Sequence, residues 1–209
     1  MKKIIIADDH VIVSQGLKML LSEDDGYMVE DEAETGGEFL KKVSQKKYDL
    51  IILDVSLPDM DVFEIMFQLK RFAGQTPVLI FTMNPEKYYA KRLLRAGAMG
   101  YINKSKSQEE IWEAIKTVSS GELYISTELS RLFANDFITD SNKPLHETLT
   151  DREFQLMRCL ALGKSLTEIA DDFFISKATV SNHRTSILEK LHLKNNYELI
   201  QYAIKNDIL

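Results

Sequence analysis

Over residues 1–125, short apolar runs alternate with longer segments whose apolar positions recur at helical spacing. The runs are IIIA at 4–7, YMVEDEA at 27–33, DLIILD at 49–54, PVLIFT at 77–82 and GYINK at 100–104. Continuous apolarity over so few residues is the pattern of a strand buried on both faces. The run at 27–33 is the weakest, being mixed with acids. Between the runs lie helical patterns such as Leu17, Leu20 and Leu21, or Ile111, Trp112, Ile115 and Val118. This alternation predicts an α/β domain, a five-stranded parallel sheet with helices on both faces, and right-handed crossovers leave few topologies. From Leu149 onward the pattern changes to four helices with no strand, an all-α unit. Thr35/Glu38, Ser107/Glu110, Thr150/Glu153 and Ser165/Glu168 each have the spacing of a capping box and mark four helix starts.

The predicted division is a first domain at 1–125, a linker at 126–147 and a second domain at 148–209. The linker lacks a strand pattern and contains SNKP at 141–144; Leu129, Leu132 and Phe133 allow a short helix before Pro144 breaks it. No apolar run approaches the ~20 residues of a membrane span. The apolar stretch near the start ends at Asp8 and Asp9, too soon for a secretory signal. The single Cys159 forms no internal disulfide and suits a reducing compartment, so the chain is read as cytoplasmic, with no membrane partner. A net charge of −6 excludes nucleic-acid binding by bulk charge. Residues 146–209 hold 8 Lys+Arg against 9 Asp+Glu, yet Lys177, Arg184, Lys190 and Lys194 gather in one segment against Glu189 alone.

In an open parallel sheet, ligands bind at the carboxyl ends of the strands. Those ends carry Asp8 and Asp9, Asp54, Thr82 and Lys104. Strands end where polar residues begin, which accounts for one or two of these five but not for three carboxylates, a hydroxyl and a lysine together. Clustered carboxylates repel one another, and a divalent cation relieves the repulsion. Magnesium suits a site with few direct carboxylates and retained waters. A carboxylate is also a covalent phosphoryl acceptor; Lys104 offers a point charge to a phosphoryl oxygen and Thr82 a hydrogen bond to another. The set resembles the receiver domain of two-component response regulators, whose fold is flavodoxin-like. The resemblance implies that Asp54 takes phosphate from a sensor histidine kinase. It implies Mg2+ held by Asp9, Asp54 and the Ser56 carbonyl, with Asp8 acting through water. Tyr101 stands where such proteins carry a switch aromatic, or it is simply an edge-strand aromatic. Val62 replaces a frequent glycine, so the turn LPDMDV is expected to be built differently. Met83 replaces a small residue and is expected to shield Asp54. Ser56 and Asn84 flank the approach of water and are expected to tune phosphate lifetime.

In the second domain, Ser176 is a good N-cap for a helix on which Val180, Ile187 and Leu191 share one face. Ser181, Asn182 and Thr185 share another, flanked by Lys177, Arg184 and Lys190. Short polar side chains reach base edges and cations bind phosphates, although the same stripe is an ordinary solvated helix face. The segment as a whole, on LTDRE, LALGKS, EIA, the Ile-Ser pair at 175–176, Thr179-Val180, His183 and Lys190-Leu191, resembles the C-terminal domain of NarL/FixJ (LuxR-type) regulators. The resemblance implies a four-helix helix-turn-helix domain whose third helix enters the major groove of double-stranded DNA, touching it through Lys177, Thr179, Ser181, Asn182, Arg184, Thr185 and Lys190. It implies a homodimer on activation through the last helix, with Tyr197, Leu199, Ile200 and Ala203, and leaves contact with RNA polymerase open. Ser181 stands where lysine is common, and Phe174 is bulkier than usual and expected to pack on another domain. The four histidines, His10, His146, His183 and His192, have no metal-ligand spacing; His10 is expected to face the mouth of the acidic crevice.

Three other readings compete with a phosphorylation-controlled, non-enzymatic transcription factor. A phosphohydrolase using Asp54 needs a second acid where Ser56 stands. A flavodoxin-like cofactor site would set three carboxylates against the cofactor's phosphate. A protein-interaction module that has lost DNA binding is suggested by Ser181 and by Leu166, which replaces a polar contact.

Overall fold

The structure is a computed structural model that describes residues 1–72, 74, 76–138, 144–206 and 208–209. The chain divides into two compact units, Met1–Ala134 and Asn135–Leu209.

In the first unit, the strands are β1 (Lys2–Ala7), β2 (Tyr27–Ala33), β3 (Leu50–Leu53), β4 (Val78–Thr82) and β5 (Gly100–Asn103). They form one parallel sheet in the order β2-β1-β3-β4-β5. Helices α1 (Val11–Ser22), α2 (Gly36–Gln45), α3 (Val62–Phe72), α4 (Glu86–Arg95) and α5 (Gln108–Ser119) make the connections. All residues of β3 and β4 are buried, as their continuous apolarity requires. The acids of β2 are explained by its place at the sheet edge, where most of its residues are half-buried. At the other edge, a Cβ on Gly100 would lie 2.7 Å from Val118 Cγ2 and 2.9 Å from Leu79 Cδ1, so only glycine lets α5 pack so close to β5. One core layer joins Ile4, Ile6, Leu17, Leu21, Leu50, Ile52, Leu79, Ile102, Ile115 and Val118.

A further helix, α6 (Thr127–Ile138), fills the first half of the stretch expected to be linker. Ser126 starts it, accepting from Leu129 N at 3.0 Å through Oγ and from Ser130 N at 2.9 Å through its carbonyl. Leu129 is buried, which supplies the apolar contact that a short helix needs to persist. Of the SNKP signal, 141–143 lies outside the described residues; Pro144 precedes a 3-10 turn at Leu145–Thr148.

The second unit contains α7 (Asp151–Ala161), α8 (Leu166–Asp172), α9 (Lys177–Lys190) and α10 (Asn196–Lys205). Phe154, Met157, Leu160, Ile169, Val180, Ile187, Leu191, Leu199 and Ala203 are buried in its core. The capping boxes at Ser107, Thr150 and Ser165 are complete. At Thr35 the side chain caps Glu38 N, but the Glu38 carboxylate accepts from Glu34 N instead.

Candidate functional site

Each polar residue of the acidic site stands where a strand stops. Asp8 follows β1 and its N–H donates to Ala33 O; Asp54 follows β3 and its N–H donates to Ala7 O; Lys104 follows β5 and its N–H donates to Thr82 O. The ladder therefore continues one residue past each strand and fixes the backbone that aims these side chains inward. Asp8 and Asp54 are 3 % exposed and Thr82 is fully buried. Lys104 Nζ lies 2.6 Å from Asp8 Oδ2 and 2.7 Å from Asp54 Oδ2, with its side chain 6 % exposed. One buried cation thus holds two buried carboxylates that would otherwise repel each other.

The other Asp54 oxygen, Oδ1, is buried and has no hydrogen-bond partner among the described residues. Ligand atoms of Asp8, Asp9, His10 and Asp54 all lie within 4.8 Å of one another. Three carboxylates against one lysine leave negative charge in excess, and a buried acceptor without a donor is costly. Oxygen donors of this kind fit magnesium. His10, which its sequence spacing gave no metal role, stands at the mouth as expected: Nδ1 is 2.7 Å from Asp9 Oδ1 and 3.2 Å from Asp8 Oδ1.

Thr82 Oγ1 accepts from Asn84 Nδ2 at 3.2 Å, and Asn84 Nδ2 also reaches Ser56 Oγ at 3.3 Å. Tyr101 is fully buried and donates its hydroxyl to Asn84 O at 2.9 Å, so its ring lies inside the fold. Asn103 Nδ2 donates to Met83 O and Asn84 O, a link that sequence reasoning missed although the residue adjoins Lys104. Met83, expected to shield Asp54, is 65 % exposed, so most of its surface lies in solvent rather than over the site. The turn at 55–61 is built without glycine. Asp61 Oδ1 caps α3 by accepting from Phe63 N at 2.8 Å and from Glu64 N at 3.3 Å. Asp59 clamps the N-terminus of α2, accepting from Gly36 N at 2.6 Å and Gly37 N at 2.9 Å. Val62 does not have positive φ and is buried, so its side chain is an asset.

On α9, Lys177, Asn182 and Thr185 are exposed, and Thr179, Ser181 and Arg184 are half-buried. Ser176 caps Thr179 N at 3.0 Å. Arg184 Nε donates to Asn196 Oδ1 at 2.7 Å, which orients the guanidinium while leaving its other donors. Lys190 has a partner that sequence reasoning missed: Nζ donates to both Glu153 oxygens, at 2.8 and 2.7 Å. Glu153 is 5 % exposed. Burial pushes its carboxyl up, but hydrogen bonds from Lys190, Ser186 and Thr150 outweigh this and hold it at about 2. Lys190 therefore acts as counter-ion to a buried carboxylate, with its side chain 39 % exposed. On α10, Leu199 and Ala203 face the core and Ile200 is half-buried, while Tyr197 and Ile204 are 70 % and 57 % exposed. Phe174, between α8 and α9, is 66 % exposed with φ +51.

No described helix is long and apolar enough to cross a membrane. Residues 4–116 match the response regulator receiver domain, and residues 147–203 match the bacterial regulatory proteins of the luxR family. The chain is 35 % identical to the oxygen regulatory protein NreC of Staphylococcus carnosus (strain TM300), over 99 % of both chains. It is 36 % identical to NreC of Staphylococcus aureus (strain JH9), again over 99 % of both. Its fold is like that of RcsB from Salmonella enterica serovar Typhimurium, determined bound to a promoter with the phosphomimetic BeF3−: TM-score 0.70, 24 % identity, 96 % of this chain and 97 % of that one. It is also like the response regulator ChrA of a heme-sensing two-component system, with TM-score 0.52 and 27 % identity over 99 % of this chain and 98 % of that one. On the receiver site, the helix-turn-helix unit and these full-length likenesses, the chain belongs to the response regulators of the NarL/FixJ family.

Proposed function

We propose that this transcriptional regulator is switched by transfer of a phosphoryl group from a sensor histidine kinase to Asp54. The observation that carries the reading is the buried Asp54 carboxylate, with Oδ2 on Lys104 and Oδ1 unpartnered beside Asp8 and Asp9. Asp54 Oδ1 attacks phosphorus as the bond to the kinase histidine nitrogen breaks, and the histidine, already protonated on its other ring nitrogen, leaves as the neutral imidazole. Asp9, Asp54 and the Ser56 carbonyl would hold Mg2+, with Asp8 acting through water; the bound ion supplies neutralisation of phosphoryl charge. Lys104 exchanges a carboxylate for a phosphoryl oxygen, and Thr82 donates its hydroxyl to another. Tyr101 follows through its bond to Asn84 O. The modified receiver then favours a dimer whose α9 helices occupy successive major grooves. Asn182, Thr185 and Ser181 read base edges there, with Lys177, Thr179 and Arg184 on phosphates. The outward Tyr197 and Ile204 supply apolar surface for pairing.

The test is intact mass after incubation with a small phosphodonor and Mg2+. One phosphoryl adduct in the wild type, absent from Asp54→Ala, is expected; no adduct under any condition would overturn the switch. In DNA titrations, Lys177→Ala is expected to lower the salt slope by about 1, whereas Asn182→Ala alters base preference.

A further inference from the structure

Outside the acidic site, the first unit buries another carboxylate. Glu86, the first residue of α4, is 4 % exposed. It accepts a short hydrogen bond from Ser126 Oγ, and its Oε1 has no hydrogen-bond partner among the described residues. Burial pushes its carboxyl up, and Lys106, Glu110 and Glu128 are the other charged groups acting on it. A carboxylate kept in such a place is disfavoured unless its partner matters. That partner is the cap of α6: Ser126, itself 7 % exposed, also receives Leu129 N at 3.0 Å on the same hydroxyl oxygen. The α6 helix leads out of the first unit, whose last residue is Ala134.

The segment before Glu86 is tied to the switch hydroxyl. Asn84 reaches Thr82 Oγ1 through its backbone N–H at 3.4 Å and its Nδ2 at 3.2 Å. Tyr101 and Asn103 hold Asn84 O from the other side. Only Pro85, at φ −64, separates Asn84 from Glu86, and its ring makes the join stiff. We infer that Glu86 is a positioning residue that locks the start of α6 to the β4–α4 segment, so that a movement of Thr82 toward Asp54 loosens α6. This rests on the phosphoryl switch proposed above. Thr82, drawn toward a phosphoryl oxygen, carries Asn84 with it; the stiff join draws Glu86 off Ser126, and α6 loses its anchor. The helix leading to the DNA-binding unit thereby gains freedom in the phosphorylated protein.

Hydrogen exchange of the full chain over 126–134, with and without the small phosphodonor, tests the lock. In the wild type, phosphorylation is expected to speed exchange there about tenfold, the order set by losing one buried hydrogen bond. Glu86→Ala and Ser126→Ala are expected to exchange that fast already and to respond no further, while taking up phosphate as quickly as the wild type. Glu86→Gln, which keeps an acceptor for Ser126, is expected to restore the slow state and its response, which a general loss of stability would not. Variants with normal phosphate uptake and wild-type exchange over 126–134 would overturn the lock. So would a wild type that is phosphorylated without any change there. Failure of the switch itself shows separately, as absence of the mass adduct, and the comparison of unphosphorylated variants then still decides whether Glu86 holds α6.

Discussion

Lys190 separates two roles that a basic residue on a DNA-reading helix can have, and its replacement by alanine tests which one holds. Glu153 titrates at about 2 in the fold against 4.5 ordinarily. At ~1.36 kcal/mol for each unit of difference, its ionised form contributes about 3 kcal/mol to folding. Lys190 provides the largest of the hydrogen-bond contributions behind this, but its side chain is 39 % exposed, so solvent screens part of the attraction. Removing it leaves a buried carboxylate held only by Ser186 and Thr150, a loss of about 2 kcal/mol. The sign of the pH dependence follows from the depressed carboxyl. Stabilisation is complete above 4.5 and is lost as pH falls through about 2. Lys190→Ala shrinks that acid-dependent part because Glu153 then titrates nearer its ordinary value. Amide exchange over α7 and α9, followed from neutral to acid pH, reads both effects. Lys177→Ala is the reference, with its smaller salt slope and unchanged stability. If Lys190→Ala kept wild-type stability and acid response yet reduced the salt slope of DNA binding, the counter-ion reasoning would fail and the lysine would belong on phosphate.

Three other outcomes follow from local geometry. Phe174 sits at φ +51 with 66 % of its surface in solvent, so Phe174→Gly relieves backbone strain at little loss of burial and is expected to raise stability by about 1 kcal/mol in urea unfolding; a lower midpoint would show that the ring contributes more than its exposure suggests. Asp59→Ala removes both bonds to the α2 N-terminus and is expected to lower stability by about 1–2 kcal/mol, and Gly37→Ala, whose Cβ would lie 3.2 Å from Asp59 Oδ2, should hurt less in that background; additive losses would argue against the clamp. Lys104→Met leaves Asp8 and Asp54 without their cation, so the protein is expected to melt lower without Mg2+ and to gain more from added Mg2+ than the wild type; an equal gain would mean that lysine and metal do not share these carboxylates.

What the sequence made legible is what depends on near neighbours. A buried strand shows itself in continuous apolarity, and a cap in two residues three apart. The acidic site was readable for the same reason, because Asp8, Asp54, Thr82 and Lys104 each stand at or just past a strand end, and parallel topology brings all such ends together. Pairings across distance were not readable. Lys190 has the same letter whether it faces a groove or a carboxylate that precedes it by thirty-seven residues. Leu199 and Ala203 fit an apolar pairing face as well as they fit a core, and only packing on α7 decides between them. The 126–147 stretch reads as linker because it lacks a strand pattern and contains SNKP at 141–144; the start of α6 is held by buried Leu129 and by Ser126 meeting Glu86, forty residues away. Val62 shows why a departure from a family pattern is a poor guide to damage. The glycine often found there permits a turn, but Asp59 and Asp61 brace this turn from outside and from within, so the position is free to bury a side chain. The tight position is Gly36, where a Cβ would lie 2.7 Å from Met60 Cβ and 3.2 Å from Asp59 Oδ1. The turn beside Asp54 is thus held by Asp61 at the start of α3 and by Asp59 on the N-terminus of α2, and its sensitivity to substitution should be sought at the α2 N-terminus rather than at 62.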